Sequence, residues 1–299
     1  MLREYAVTPE VLLRDSYENG DLYRLAVRQL WEEAKDLGLF RDLADRKWSA
    51  FLAAQLQARD DAGRHMLKAL ITRRRLIGCK MHGAAAPANW AEWWLEALRE
   101  HEHSATTGVI LSPRGKAKHP NNNRAADILQ LEQHDWWTNR QSHRVIKRSV
   151  SGLLDALVPI FKRANRLDFV DPYIAPPPHR EKYSNFPILL RQIQSTCRIT
   201  IHRIDRPDTA TQAGFKNWAQ ESERRFTVVC RKKNQFTNPH VPAHDRFLIS
   251  DLLTITATNG FDVDGKAMTI TPVIGSMKLE LERFFCAQEG SDQVCRLDF

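Results

Sequence analysis

The stretch Asn238-Pro-His-Val-Pro-Ala-His-Asp-Arg-Phe-Leu-Ile-Ser-Asp251 sets a histidine, a basic residue two places on and an aspartate seven places on at one edge of an apolar run. In extended backbone, residues i and i+2 share a face. His244 and Arg246 therefore point the same way, while Phe247, Leu248 and Ile249 supply the burial that fixes them. An imidazole beside a guanidinium is a nucleophile next to a phosphate clamp, the pairing that phosphodiester chemistry uses. The same residues also fit the plain opening of a strand with a solvated arginine.

Two other segments accompany this one. Asp171-Pro172-Tyr173 closes an apolar run upstream, and Gly260-Phe261-Asp262 follows downstream. With them the H-x-R-x-x-x-x-D spacing resembles the H-x-K-x-x-x-x-D signature of the phospholipase D-like superfamily. It is closest to the single-motif domains of the MIT C-terminal type and their bacterial relatives, in which a D-P-Y strand end precedes an H-D-R-[FWY]-[IL] strand and a G-[LF]-D loop follows. The resemblance covers residues 150 to 280. This chain has Arg246 where lysine is usual, and Thr258-Asn259-Gly260-Phe261 where the superfamily has G-S-x-N.

The resemblance implies a hydrolase that needs neither metal nor cofactor and works through a phosphohistidine. His244 would attack phosphorus, Arg246 would neutralise the equatorial oxygens, and Asp251 or another carboxylate would orient the imidazole. Asn259 completes the catalytic candidates. Asp171, Tyr173, His240, Arg231 and Lys232 are the candidates for substrate binding, with Asp171 serving equally as a carboxylate that caps the turn before Pro172. No other histidine repeats the motif, since His143 leads to Val145, His202 to Ile204 and His240 to Pro242. A second proton donor would come from a homodimer, as in single-motif members, or from His240. The competing implication is a non-catalytic module binding acidic phospholipid headgroups or nucleic acid. A DNA-binding accessory subunit of a bacterial anti-phage system, with protein partners from the same operon, is a third.

Composition narrows the partners. The chain has 299 residues with a net charge of +8 and a pI near 9.4, which favours polyanions such as nucleic acid or acidic membrane surfaces; among nucleic acids DNA is the expected partner. Cys79, Cys197, Cys230, Cys286 and Cys295 are odd in number, widely spaced and never in a C-x-x-C pair. That spacing argues against a zinc site or a disulfide framework and leads us to expect reduced thiols in a cytoplasm. His101 and His103 lie two apart but have no third ligand at a recognisable spacing. The first ten residues are too polar for a signal peptide, and no apolar run approaches the roughly 20 residues of a membrane span.

The elements that must hold these residues follow from periodicity. Apolar spacing predicts helices from Asp21 to Leu37, with Gly38 as terminator, and from Trp48, Gly63 and Trp90 onward. Residues 1–85 thus read as a helical N-terminal region in which Arg73-Arg74-Arg75 is either a solvated face or a phosphate grip. Residues 86–299 read as an α/β domain of phospholipase D-like type, a layered sheet between helices. Within it Thr107–Leu111 is a strand, residues 114–123 are a polar loop, and 127–137 and 149–165 are helices. Strands then begin at Arg166, Arg198, Phe226, His244, Thr254 and Met268, and a polar tail ends the chain.

Overall fold

The computed structural model describes residues 2–57, 61–140, 143–204, 206–232, 245–258, 260–286 and 293–299. The chain is mixed α/β and divides into two compact units, Leu2–Arg140 and Gln141–Phe299. The boundary thus falls well beyond residue 85, and the first unit is not purely helical.

In the first unit, β1 (Arg3–Val7), β2 (Gly38–Asp42), β3 (Leu76–Gly78), β4 (Gly108–Leu111) and β5 (Ala125–Asp127) form one sheet in the order β3-β2-β1-β4-β5. All four pairings are parallel. The connections carry α1 (Gly20–Asp36), α2 (Leu43–Leu56), α3 (Ala62–Thr72), α4 (Trp90–His103) and α5 (Pro113–Lys118). The helices start where side chains can cap them: Asn19 accepts from the backbone of Asp21 and Leu22, and Asn89 accepts from that of Glu92. Their apolar faces, including Leu30, Trp48, Leu67 and Trp93, close over the sheet in one core.

Periodicity misses β1 and β2 because both carry charge into buried positions. Arg41 is buried in β2, where it pairs with Glu4 of β1 and with Glu100 of α4, the latter at 3.1 Å. Arg3 pairs with Glu33 of α1 at 2.8 Å. Once matched, these charges no longer mark a surface. Gly38 does not terminate α1 but opens β2, where an added Cβ would meet the Glu33 carbonyl oxygen at 2.9 Å. Of the arginine run, Arg75 is buried and donates to the Lys35 carbonyl, and Arg73 lies over the Trp31 ring. That run is therefore largely structural. The expected polar loop contains α5, and His101 and His103 are bonded locally, to Thr106 and to the Arg99 carbonyl.

The second unit contains β6 (Arg144–Lys147), α7 (Val150–Phe161), β7 (Arg166–Val170), α8 (Phe186–Arg191), β8 (Arg198–Ile204), α9 (Thr209–Ser222) and β9 (Thr227–Arg231). After these come β10 (Asp245–Ser250), β11 (Thr254–Thr258), β12 (Ala267–Val273), α10 (Gly275–Leu281), a π-turn (Glu282–Cys286) and β13 (Gln293–Asp298). The sheet order is β13-β9-β8-β7-β10-β11-β12-β6. Strands β7, β8 and β9 are parallel, and every other pairing is antiparallel. One face is covered by aromatic contacts from α7, α8 and α9, with Phe161 and Phe186 on Phe169 and Trp218 on Phe186. The other is closed by Leu281 and Phe285 over Val170, Phe247 and Ile249.

The tail read as polar supplies β13, which pairs with β9 and sets Cys295 opposite Cys230, their Cα atoms 5.0 Å apart and their sulfurs joined as a disulfide. This corrects the expectation of five reduced thiols. A spacing of 65 residues gives no hint of a pairing created by strand register. Among the described residues no helix is long and apolar enough to cross a membrane.

The sheet of the first unit predicts where the chain can be cut. A fragment of residues 1–140 keeps all five parallel strands and should melt cooperatively by far-UV circular dichroism. One ending at residue 85 loses β4 and β5 from beside β1 and should show no cooperative transition. A cooperative melt of the shorter fragment would restore the boundary read from the sequence.

Candidate functional site

The site forms where three separated segments meet at the C-terminal end of β7. Register pairs Phe247 with Val170, so Arg246 and Asp171 stand opposite each other one position beyond the last bonded pair. The Arg246 Nε donates to Asp171 Oδ1 at 3.1 Å, and the backbone N–H of Tyr173 donates to the same oxygen at 3.0 Å. Asp171 Oδ2 accepts from the Tyr183 hydroxyl at 2.5 Å. The carboxylate is fully buried and Arg246 is 7 % exposed. Burial, with the Asp171 carboxylate next in effect, pushes the Tyr183 phenol far up, so it remains a donor.

Gly260 completes the corner from the other side. Its φ is +97°, and an added Cβ would lie 2.8 Å from Asp171 Oδ2 and 3.3 Å from the Tyr183 hydroxyl. A side chain is excluded there by backbone conformation and by space. Phe261 is buried edge-on against Phe169 at 5.3 Å, which anchors the loop in the core. Asp262 pairs with Arg148, which also binds Asp264. Burial pushes the Asp262 carboxyl up against the opposing pull of Arg148.

The corner opens to solvent through Tyr173. Its ring is 47 % exposed and has the Arg246 guanidinium 5.2 Å from its centroid and that of Arg180 at 5.4 Å. Guanidinium groups at these distances are within cation–π range. Tyr173 is thus the surface member of the site. Asp171 is an interior residue that caps the turn at Pro172 and holds Arg246.

Two other expected residues lie elsewhere. Asp251 is at the far end of β10, where its Oδ1 accepts from the backbone N–H groups of Asn165 and Arg166 at 3.0 and 3.4 Å. Five residue steps of strand at about 3.3 Å each separate it from Arg246, and it orients the start of β7. Arg231 is fully buried on the opposite face of the sheet. Its Nε donates to His202 Nδ1 at 3.3 Å, and its guanidinium lies over Phe284 and Phe285. Lys232, the next residue, is exposed. His244, His240 and Asn259 lie outside the described residues.

The Arg231 contact belongs to a network that spacing did not reveal. With Nδ1 accepting from Arg231, the N–H of His202 sits on Nε2 and faces Asp168 Oδ1 at 3.2 Å. Arg166 and the Cys286 thiol reach Asp168 Oδ2 at 3.2 and 3.3 Å. Burial drives the His202 imidazole below its ordinary range, and the neighbouring Arg231 adds to this; the Asp168 bond opposes it. Burial alone would raise the Asp168 carboxyl, but His202 and Arg166 together hold it lower than usual. The sequence does carry a signal for this network, a charged residue inside the apolar run Leu167-Asp168-Phe169-Val170 and a histidine inside Ile201-His202. Compared with known proteins, the chain matches no family model and no curated protein.

Two outcomes follow. Removing one partner of a buried ion pair costs about 3–5 kcal/mol, so Arg246→Ala should lower urea stability by that order; Gly260→Ala, strained at positive φ, should cost about 1–3 kcal/mol. Variants as stable as the wild type would show that the corner is loosely held. The second concerns pH. The unfolded chain protonates its histidines near pH 6.5, whereas folded His202 resists protonation, so the unfolded state binds more protons below that point and stability falls as pH drops. Asp168, held low, keeps its contribution until the medium is more acidic. The wild type should lose urea stability from about pH 6.5 downward, and His202→Gln should lose less over the same interval. Parallel curves would remove His202 as the source.

Proposed function

We propose that the second unit is a metal-independent phosphodiesterase of phospholipase D-like type that acts on nucleic acid through a phosphohistidine on His244. The observation that carries this reading is the convergence of the D-P-Y segment, Arg246 and the G-F-D segment on one corner, with Arg246 held by Asp171 beside an exposed Tyr173. These are the segments on which the resemblance rests, and nothing in their separation along the chain obliges them to meet.

In the proposed reaction an imidazole nitrogen of His244 forms a bond to phosphorus as the P–O bond to the leaving strand breaks. The leaving oxygen takes a proton from a second imidazole, that of His244 in a second copy of the chain or of His240. Water then attacks phosphorus and gives up a proton to the second imidazole. The P–N bond breaks, and a phosphate monoester leaves. Arg246 would stabilise the charge that develops on the non-bridging oxygens. A homodimer would place both His244 side chains around one shared site, and two-fold pairing is the commonest form of assembly.

One observation favours a second reading. Asp171 matches the charge of Arg246 within the protein, and a clamp so matched suits holding a phosphate without cutting it. That reading makes the unit a binding module for acidic lipid headgroups or nucleic acid.

The discriminating experiment is cleavage of a labelled oligonucleotide by purified protein in EDTA. The wild type should cleave, His244→Ala should lose several orders of magnitude in rate, and Arg246→Lys should retain most activity because it keeps the cation. Activity in His244→Ala would end the phosphohistidine reading. Binding without turnover by the wild type would leave the binding module.

A further inference from the structure

Beside the Arg246 corner lies a cleft of about 570 Å³, formed where β7 and β8 end and α9 begins. Its size falls within the roughly 300–1,000 Å³ of small-ligand sites, and its position outside the carboxyl ends of parallel strands is where open α/β sheets bind ligands. Tyr173 forms the wall shared with the corner, and Arg180, Arg203 and Arg206 bring positive charge to the rest, with His179 beside them. The carboxylate among its described lining residues, Asp208, accepts from the Thr211 N–H at 2.8 Å and faces His179 Nε2 at 3.5 Å. The cleft therefore offers an aromatic ring at one end and a cationic rim, the two features that unpaired nucleotides engage.

We propose that this cleft is a nucleotide subsite that takes one unpaired nucleotide, with its base against Tyr173 and its phosphate on the Arg180–Arg206 rim. The inference rests on nucleic acid being the partner of this unit and names the form recognised, single-stranded or locally unpaired. The reason is steric. A base inside a duplex is stacked on both faces and reaches a concave site only after being turned out of the helix, at a cost of a few kcal/mol, whereas an unpaired base enters directly. From the cleft, Tyr173 leads to the Arg246 guanidinium 5.2 Å from its centroid, so the neighbouring phosphate of the bound strand falls at the corner described above.

The test is fluorescence anisotropy of the full chain with labelled DNA and RNA oligonucleotides, each single-stranded and as a blunt duplex, across a salt series. Single strands should bind about tenfold or more tighter than duplex at equal salt. Tyr173→Leu should weaken single-strand binding roughly tenfold, as loss of one stacked base does; Tyr173→Trp should restore it. Arg206→Ala should lower the slope of log affinity against log salt by about 1. Equal affinity for duplex, or Tyr173→Leu and Arg206→Ala binding single strands as the wild type does, overturns the subsite. Hydrolysis of bis(p-nitrophenyl) phosphate by the same samples reads the phosphodiesterase separately. Binding that depends on Tyr173 without hydrolysis keeps the cleft and removes the enzyme; hydrolysis with unaffected binding variants does the reverse.

Discussion

A carboxylate withdrawn completely from water is tolerated only when each oxygen is bonded and its charge is matched. Asp171 meets both conditions with three groups, the Arg246 guanidinium, the Tyr183 hydroxyl and the Tyr173 amide, and Gly260 leaves its Oδ2 the room that a side chain would take. That requirement ties the end of β7 to the start of β10 and pulls the loop after β11 against both. Arg246 and Tyr173 owe their placement to this one buried charge. A corner built this way has its rigid part inside and presents Tyr173 outside.

Strand alternation divides the charges of the second unit between two environments. Asp168 and Asp171 are three residues apart and so fall on opposite faces of the sheet. On one face Asp171 leads through Arg246 to an exposed tyrosine. On the other, Asp168, His202 and Arg231 are sealed beneath Phe284 and Phe285, each bonded to the next. The sealed network contains a histidine, an aspartate and, in Cys286, a thiol, yet burial pushes that thiol well above its ordinary range and both imidazole nitrogens face partners. These residues support the sheet.

The first unit shows how matched charge conceals strands. Arg3, Glu4 and Arg41 sit in β1 and β2, where spacing alone reads polar breaks, and each finds an opposite charge on a neighbouring strand or helix. The helices between them were legible because caps and apolar stripes are local. The parallel sheet was not, because its strands are five residues or fewer and their pairing partners come from across the unit.

By itself the sequence determined the corner's ingredients: an arginine two places after a histidine, a D-P-Y strand end, a G-F-D loop, and apolar runs long enough to bury what surrounds them. It also marked the helix from Ser149 and the strands from Arg166, Arg198 and Thr254, since these depend on neighbours a few residues apart. Only the tertiary structure decided which carboxylate serves Arg246. Asp251, five residues on, lies at the far end of the same strand, and Asp171, 75 residues away, stands opposite by antiparallel register. It likewise decided that Arg231 turns inward, that Cys230 meets Cys295, and that the chain divides after Arg140. Each of these depends on strand order, which arises from which apolar faces bury one another and has no signature within any single stretch of chain.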